Sequence, residues 1–429
     1  MQPVAIHHLP GSSLPAPASA PQRLTAPCGL SVEVHQNVTT LAPLVAEWSE
    51  LAARCPGATF FAGPDWAASW IAHRLAPRRA ATLVIVRERG RLVALLPLSM
   101  QRLGPLRSAS GLCAAAGAYT DFLADDTTVS SRRLLSALWL GIDRLGCDTL
   151  TFDAVRDGSV LDALLAMRPS TRGTAHRAVE VSAHLCGSAA AAGSSSLRKD
   201  LRRRRRRLAE EMGPIAYRVV QSEREIPHAI EALLALKLAW LDDKGLHARF
   251  LAGDETQRWL ADTCTRALQA GQLHLSTLSA GGRIVAAQLA FQSGKTLCAY
   301  IGAFDPAFKR YGAGKLHLEH HLADIAASGL VLDLMPPEDD YKLEWGAPGA
   351  CVRSSVTPLS ARGRALAFVH SPGLRTALKG LYLAMPRGAR AKTAATVLAM
   401  AAAVRRTLMG LAAPVGEFAP HLSQVAAFA

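Results

Sequence analysis

Two rhythms of hydrophobic and polar positions alternate along the chain. VTTLAPLVAEWSELAARC places apolar residues at helical spacing, whereas ATLVIVRERGRLVALLPLSM reads as two strands joined by a Gly-Arg turn. The same hairpin returns as HLSTLSAGGRIVAAQLAFQ. The likeness reaches single residues: Gly90-Arg91-Leu92-Val93-Ala94 corresponds to Gly282-Arg283-Ile284-Val285-Ala286 at a spacing of 192. FAGPDW at Phe61 and LAGDET at Leu251 repeat at about 190. Repetition over that length predicts a duplicated unit whose copies have drifted apart.

Between the copies lies GSAAAAGSSS, Gly187 to Ser196, small and flexible enough to mark a boundary. The second copy is the richer one. An arginine-rich helix, SLRKDLRRRRRRLAEEMG, leads to the strand IAYRVV and the helices EIPHAIEALLALKLAWLDDKG and TQRWLADTCTRALQAG. Strands LHLSTL, RIVAAQLAFQ and TLCAYIGAF follow, then a glycine loop, the helix KLHLEHHLADIAASG and the strand LVLDLM. Helices, antiparallel meander, glycine loop, helix and strand make an α/β arrangement.

A chain of 429 residues, half of them hydrophobic, suits two or three domains with sizeable cores. The net charge of +14 is local. Leu197 to Gly213 holds eight basic and three acidic residues, and Gly346 to Gly416 holds ten basic and no acidic ones, so the remainder is near neutral. Localised charge argues against a surface uniformly coated for nucleic acid and leaves local phosphate contact open. No aromatic residue occurs from Asp153 to Ala216, so the arginine run has no interleaved base-stacking platform. The eight cysteines are scattered without a C-x-x-C pair, as reduced thiols of a cytoplasmic protein would be. MQPVAIHHLPGSSLPAPASAPQ lacks the regions of a secretion signal and reads as a disordered leader. TAATVLAMAAAV, the longest apolar run near the C-terminus, has 12 residues, short of the ~20 a spanning helix needs. In the tail, Leu374, Leu378, Leu381, Tyr382 and Met385 share one helical face and Val397, Ala401, Val404, Leu408 and Leu411 another. Beside Arg375, Lys379, Arg405 and Arg406, these faces fit either an anionic inner-membrane surface or the protein's own core.

Candidate chemistry concentrates in KRYGAGKLHLEHHLADIAASGLVLDLM, which places Lys309, Gly312 and Gly314 just before a helix. Glycines there let backbone N–H groups approach a phosphate, and the helix N-terminus adds partial positive charge. His317, His320 and His321 include a pair on one helix face, but no third metal ligand accompanies it, and no metal is expected. In its setting the loop resembles the pyrophosphate loop of GNAT acyl-CoA N-acyltransferases, with Lys309 where that family usually has Gln or Arg. Ala313 and Lys315 stand where a Ser-Pro-Gly type of turn is common.

Together with the arginine helix, GRIVAAQLAF, YIGAFDPAF and DYKLEWG, the order of motifs over about residues 40 to 350 is similar to the CelD-like branch of GNAT proteins, associated with bacterial cellulose and exopolysaccharide synthesis. That branch resembles Fem-type peptidyltransferases in doubling the GNAT unit. The leader is expected over 1–30 and the basic helical tail over 361–429, both outside the resemblance. Between them the resemblance implies a degenerate GNAT-like lobe over 31–185 and a GNAT-like acyltransferase lobe over 186–360. Each lobe is expected to be a mixed, mostly antiparallel sheet flanked by helices. Activity is assigned to the second lobe, because the first has no comparable basic Gly-x-Gly loop before a helix.

The implied reaction is direct attack of an amine or hydroxyl on the thioester of acetyl-CoA or another acyl-CoA. Tyr300, Gly302, Lys309, Gly312, Gly314 and Lys315 would hold the donor, with a backbone N–H near Tyr300 to Gly302 facing the oxyanion. Tyr341 would protonate the leaving thiolate, and Asp333 or Asp340 would be the base, with Glu338 and Asp339 as neighbouring candidates. Asp333 inside an apolar strand equally fits a structural hydrogen-bond acceptor, and Glu338 to Asp340 a solvated loop. Lys342 and Trp345 would contact the acceptor, a small molecule or glycan precursor, although a surface lysine and a core aromatic are the plain readings.

On a helical wheel with Leu201 at zero, Leu197, Leu208 and Met212 define one apolar face, flanked by Arg204 at about −60° and Arg205 at about +40°. Those two arginines are expected to point into the cleft and hold an anion. Arg203 and Arg206 should face solvent. Competing functions are an aminoacyl-tRNA-dependent Fem-like transferase and a scaffold that has kept the fold without its chemistry.

Overall fold

The computed structural model describes residues 21–26, 29–76, 79–103, 105–182, 195–244 and 249–369. The first repeat runs β1 (Gln22–Thr25), β2 (Ser31–Val38), α1 (Val45–Ala53), α2 (Pro64–His73), β3 (Arg79–Glu88), β4 (Arg91–Leu103), β5 (Leu106–Gly111) and β6 (Leu123–Ala124). It continues through α3 (Ser131–Arg144), β7 (Thr149–Arg156), α4 (Val160–Ala166), β8 (Thr171–Arg172) and β9 (His176–Ser182). The second runs α5 (Ser195–Met212), β10 (Ile215–Val219), α6 (Ile226–Asp243), α7 (Asp254–Gln269), β11 (Leu273–Ala280), β12 (Arg283–Ser293) and β13 (Thr296–Phe304). After a 3-10 turn, Pro306–Tyr311, come α8 (Ala313–Ile325), β14 (Val331–Asp333), α9 (Asp340–Leu343), β15 (Ala347–Pro358) and α10 (Ala361–Val369). Within the segment expected to be a leader, Gln22 to Thr25 form β1 and pair with β2. The tail beyond Val369 and most of the linker lie outside the described residues.

The duplication is structural. Arg89 and Gly90 turn β3 into β4 at φ 49° and 84°, and Gly281 and Gly282 turn β11 into β12 at 57° and 83°. Two successive positive φ values are those of a type I′ turn, whose twist matches that of the strands it joins. The first of these turns is thus Arg-Gly, one residue earlier than the expected Gly-Arg. Gly63 caps α2 and Gly253 caps α7, both extended and both followed by an acidic first turn. Each repeat then forms an antiparallel meander ending in one parallel pairing: Ser108–Ser110 with Thr149–Thr151, and Thr296–Cys298 with Val331–Asp333.

The two sheets merge into one of 15 strands because the repeats exchange their last strands. β9, from the first repeat, pairs with β14 of the second, whereas β15 pairs with β7 of the first. β9 and β15 pair with each other at the centre. The lobes also share a core. Phe60 stacks on Phe291 with ring centroids 4.3 Å apart, Trp66 packs edge-on to Trp259 at 4.9 Å, and the Ser69 hydroxyl lies 2.7 Å from that of Thr263. Burying each such ring contributes roughly 1.5 to 3 kcal/mol, and here the contribution is realised only when both lobes are present.

Candidate active site

The glycine loop has the expected shape with a shifted boundary. Gly312 takes the left-handed conformation, φ 67°, as the N-cap of α8, and Gly314 and Lys315 fall within the helix's first turn. The N–H groups of that turn have no intrahelical acceptor, which suits an anion. A Cβ on Gly312 would meet Arg204 Cδ at 3.1 Å, and one on Gly314 would meet the Phe304 ring at 2.9 Å, so both positions are also fixed by crowding. Lys309 is exposed, with no side-chain partner among the described residues, while Lys315 pairs with Glu344 at 2.5 Å.

Helix α5 clamps this loop from one side. Arg204 donates to Asp200 at 2.5 Å and to the Arg310 carbonyl at 3.2 Å. Two turns later Glu211 accepts from Tyr311 at 2.5 Å and from Arg310 at 2.9 Å. Leu201 and Leu208 are fully buried beneath, as the wheel predicts, but Met212 is 37% exposed. Arg203 and Arg206 face solvent as expected. Arg205 does not follow Arg204: it is exposed, because α5 docks with its Arg204 edge on the loop.

β14 ends at Asp333, so beyond Cys298 β13 runs on without a parallel partner, which leaves an opening in the ladder beside it. The parallel pairing ends at Cys298 and Asp333, and two residues later Tyr300 forms a bulge, since Ala299 pairs with Ala290 and Ile301 with Leu289. A bulge beside an opening between parallel strands turns backbone N–H groups out of the ladder. Gly302 is exposed on the same strand, whereas the Tyr300 ring enters the shared aromatic core and its hydroxyl donates to the Ala116 carbonyl at 2.7 Å. Tyr300 therefore contributes backbone and packing at this point.

At the bottom of the opening Asp333 is 3% exposed and accepts the Met335 N–H at 2.7 Å. Tyr119, from the first repeat, donates to both its oxygens at 3.0 and 2.8 Å. Burial raises the Asp333 pKa, against the pull of those donors. The buried Lys342 ammonium donates to the carbonyls of Met335 at 2.8 Å and Pro337 at 2.7 Å, with Asp339 at 3.7 Å, and burial lowers its pKa. Tyr341 is 48% exposed on the short α9, and its surroundings push its phenol up to about 12. Asp340 and Glu338 are exposed and without side-chain partners among the described residues, the arrangement of a solvated loop. Trp345 is a core residue at 6% exposure, in one hydrophobic cluster with Leu332 and Leu316, which is the plain reading of a core aromatic rather than an acceptor contact.

The corresponding opening in the first repeat is filled by its own chain. Thr120 continues the parallel pairing along β7 by bridging to Val155, and Gly111 leaves Thr120 just enough room. Tyr119 reaches Asp333 from this filling segment. Two residues were missed in the sequence: Tyr119, which had no local signal, and Lys237. The latter sits four residues from both Leu233 and Leu241 on the buried face of α6, and a lysine in an apolar stripe is a legible anomaly. A cavity of about 400 Å³ lined by Thr39, Val45, Ile71 and Arg266 contains none of the expected site residues. Among the described residues no cluster of three or more His, Cys, Asp or Glu fits a metal ion, and no helix is long and apolar enough to cross a membrane.

Residues 195–343, within the second repeat, match the acetyltransferase (GNAT) domain family. Among solved structures, FemX covers 76% of this chain and 97% of its own with a TM-score of 0.52 at 11% identity, a likeness of fold. The C-terminal domain of a putative lysylphosphatidylglycerol synthetase from Agrobacterium fabrum covers 75% and 95%, with a TM-score of 0.45 at 15% identity. No curated protein matches the chain.

Proposed function

We propose that the second repeat transfers an acyl group from a CoA thioester to an amine or hydroxyl. The donor's phosphates rest on the N-terminus of α8, beside Arg204 and Lys309, and its acyl arm runs into the opening between β13 and β14. One conjunction carries this reading: the left-handed Gly312 with Arg204 packed on it stands at the mouth of an opening that begins at the Tyr300 bulge. Asp333, buried and with its pKa raised, ends β14 at that opening and serves as the proton acceptor, and Tyr341 keeps its proton through neutral pH to give to a departing thiolate. The first repeat supports the site through Tyr119 and has no opening of its own. The connection to bacterial polysaccharide or envelope synthesis rests on the order of motifs.

Calorimetric titration with acetyl-CoA tests the donor site. Gly312→Asp and Gly314→Asp should abolish binding, and unchanged affinity would move the donor elsewhere. Thiol release with cell extract as the acceptor source separates an enzyme from a scaffold. A second reading, an aminoacyl group delivered on tRNA, is favoured by the fold shared with a Fem protein. It requires transfer to be RNase-sensitive and indifferent to acyl-CoA.

A further inference from the structure

Glu180 stands directly across the strand pair from Asp333, Cα partner to Cα partner, where β9 of the first repeat meets β14 of the second. Residues so placed share a face of the sheet with Cβ atoms about 4.5 to 5.5 Å apart, and two like charges there repel. Their neighbours Leu332 and Val181 alternate to the other face, buried in a single cluster. The repulsion falls unequally on the two. Glu180 is half-buried, and its carboxylate accepts the Ala350 N–H at 3.2 Å. A Cβ on Gly349 would meet the Glu180 Cδ at 2.5 Å, so bare backbone makes room for it there. Asp333, 3% exposed, has no such access to water. Of the two cations that act on it, Arg156 is engaged by the Gly57 carbonyl at 2.9 Å and Asp121 at 3.6 Å, and Lys342 by the carbonyls of Met335 and Pro337. On its other side Asp333 pairs with Cys298, whose thiol burial pushes up.

We infer that Glu180 is a positioning residue for the transfer, acting through Asp333: its charge, fixed across the strand pair, opposes the donors on Asp333 and keeps that carboxylate ready to take up a proton. The inference rests on the reading of Asp333 as the proton acceptor of an acyl transfer. In that step the acceptor's N–H or O–H bond breaks as its nitrogen or oxygen bonds to the acyl carbon, and Asp333 receives the proton. A carboxylate held by a hydroxyl and a backbone N–H is by those contacts alone a weak base. Burial works against them, and the Glu180 charge works in the same direction as burial. Tyr119, which weakens the base, and Glu180, which strengthens it, both belong to the first repeat. The lobe without an opening therefore sets the proton affinity of the lobe that has one.

Substitutions of opposite sign separate this role from a structural one. The full chain is labelled with 13C at its aspartate carboxyl carbons, Asp333→Asn assigns the Asp333 signal, and its pH titration is followed by NMR. Glu180→Gln, which keeps an acceptor for the Ala350 N–H, should move the Asp333 midpoint toward acid, and Tyr119→Phe should move it toward alkali. The double variant should fall between them, and Glu180→Asp, which keeps the charge, should stay near the unaltered chain. The same order should appear on the acid limb of thiol release from acetyl-CoA with cell extract as the acceptor source. There a half-unit displacement changes the rate about threefold at fixed pH, upward for Glu180→Gln and downward for Tyr119→Phe relative to each variant's plateau. An Asp333 midpoint that Glu180→Gln leaves in place, or moves toward alkali, overturns the inference. If the midpoints move as stated and the unaltered chain releases no thiol, the charge relation stands and the transfer reading falls. If thiol is released while Glu180→Gln moves neither midpoint nor limb, the role of Glu180 alone falls.

Discussion

The Tyr119 hydroxyl of the first repeat donates to both oxygens of Asp333 in the second, at 3.0 and 2.8 Å, so the buried carboxylate of one lobe is held by the other. Tyr119→Phe should cost about 1 to 3 kcal/mol, because it removes a donor from a buried carboxylate that cannot turn to water. The cost should depend on pH. Asp333 has a raised pKa in the folded state, so its contribution is complete below the unfolded value and is lost as pH rises through the folded one. Losing the Tyr119 bond raises that pKa further. Guanidinium denaturation should then show a larger deficit at pH 8 than at pH 4, and equal deficits would reduce Tyr119 to packing alone.

Arg204 and Arg205 should separate in the donor-binding assay. Arg204 packs on Gly312 and donates to the Arg310 carbonyl, whereas Arg205 is exposed. Arg204→Gln should weaken acetyl-CoA binding by about 1 to 2 kcal/mol through loss of charge-assisted contact, and Arg205→Gln should change it by less than about 0.5 kcal/mol. Variants of matched thermal stability are compared. Equal losses would mean that the donor does not lie along the Arg204 edge.

The histidines of α8 predict acid sensitivity. His317 and His321 are buried, with ring centroids 6.2 Å apart, and His274 lies 4.2 Å from His321. Both His321 nitrogens are without partners, while His317 meets the Ser276 hydroxyl at 3.1 Å. Around them stand Tyr217, His320, Glu319, Asp324 and Arg205. Burial brings His317 down to about 3 and His321 well below its ordinary value. A base depressed in the folded state protonates first in the unfolded one, so stability is complete above the unfolded pKa of about 6.5 and falls as pH drops below it. Near pH 5 the loss should be about 2 kcal/mol per buried ring. His321→Leu should flatten the stability profile between pH 6.5 and 4, and an unaltered slope would place the acid sensitivity elsewhere.

What the sequence disclosed was local. A type I′ turn is written in two adjacent residues, so both hairpins and their spacing of 192 were visible, and Gly63 and Gly253 marked the starts of equivalent helices. The loop at Gly312 was visible for the same reason. The wheel placed Arg204 and Arg205 on either side of one stripe, but which edge meets the loop depends on how α5 docks, a tertiary choice. Tyr119 was invisible because its role arises only where two distant segments meet. Exchange of β9 and β15 has no sequence signature either, since alternation along a strand fixes its faces and not its neighbours.

That exchange leads to the last prediction, which concerns the boundary near residue 186. If the repeats were independent domains, residues 21–186 and 187–369 would each fold alone. In the intact chain β7 depends on β15, β14 depends on β9, and Phe60, Trp66, Trp259 and Phe291 complete one core from both sides. Each isolated fragment would leave strand edges unpaired and an aromatic face open to water, a combination that favours aggregation. Expressed separately, the fragments should therefore lack near-ultraviolet circular dichroism and dispersed NMR signals. Expressed together, they should form a stoichiometric complex that recovers the tertiary signals of the intact chain. A well-dispersed spectrum from either fragment alone would show that the shared sheet is a contact between finished domains, and Tyr119 would then have to be treated as a removable partner of Asp333.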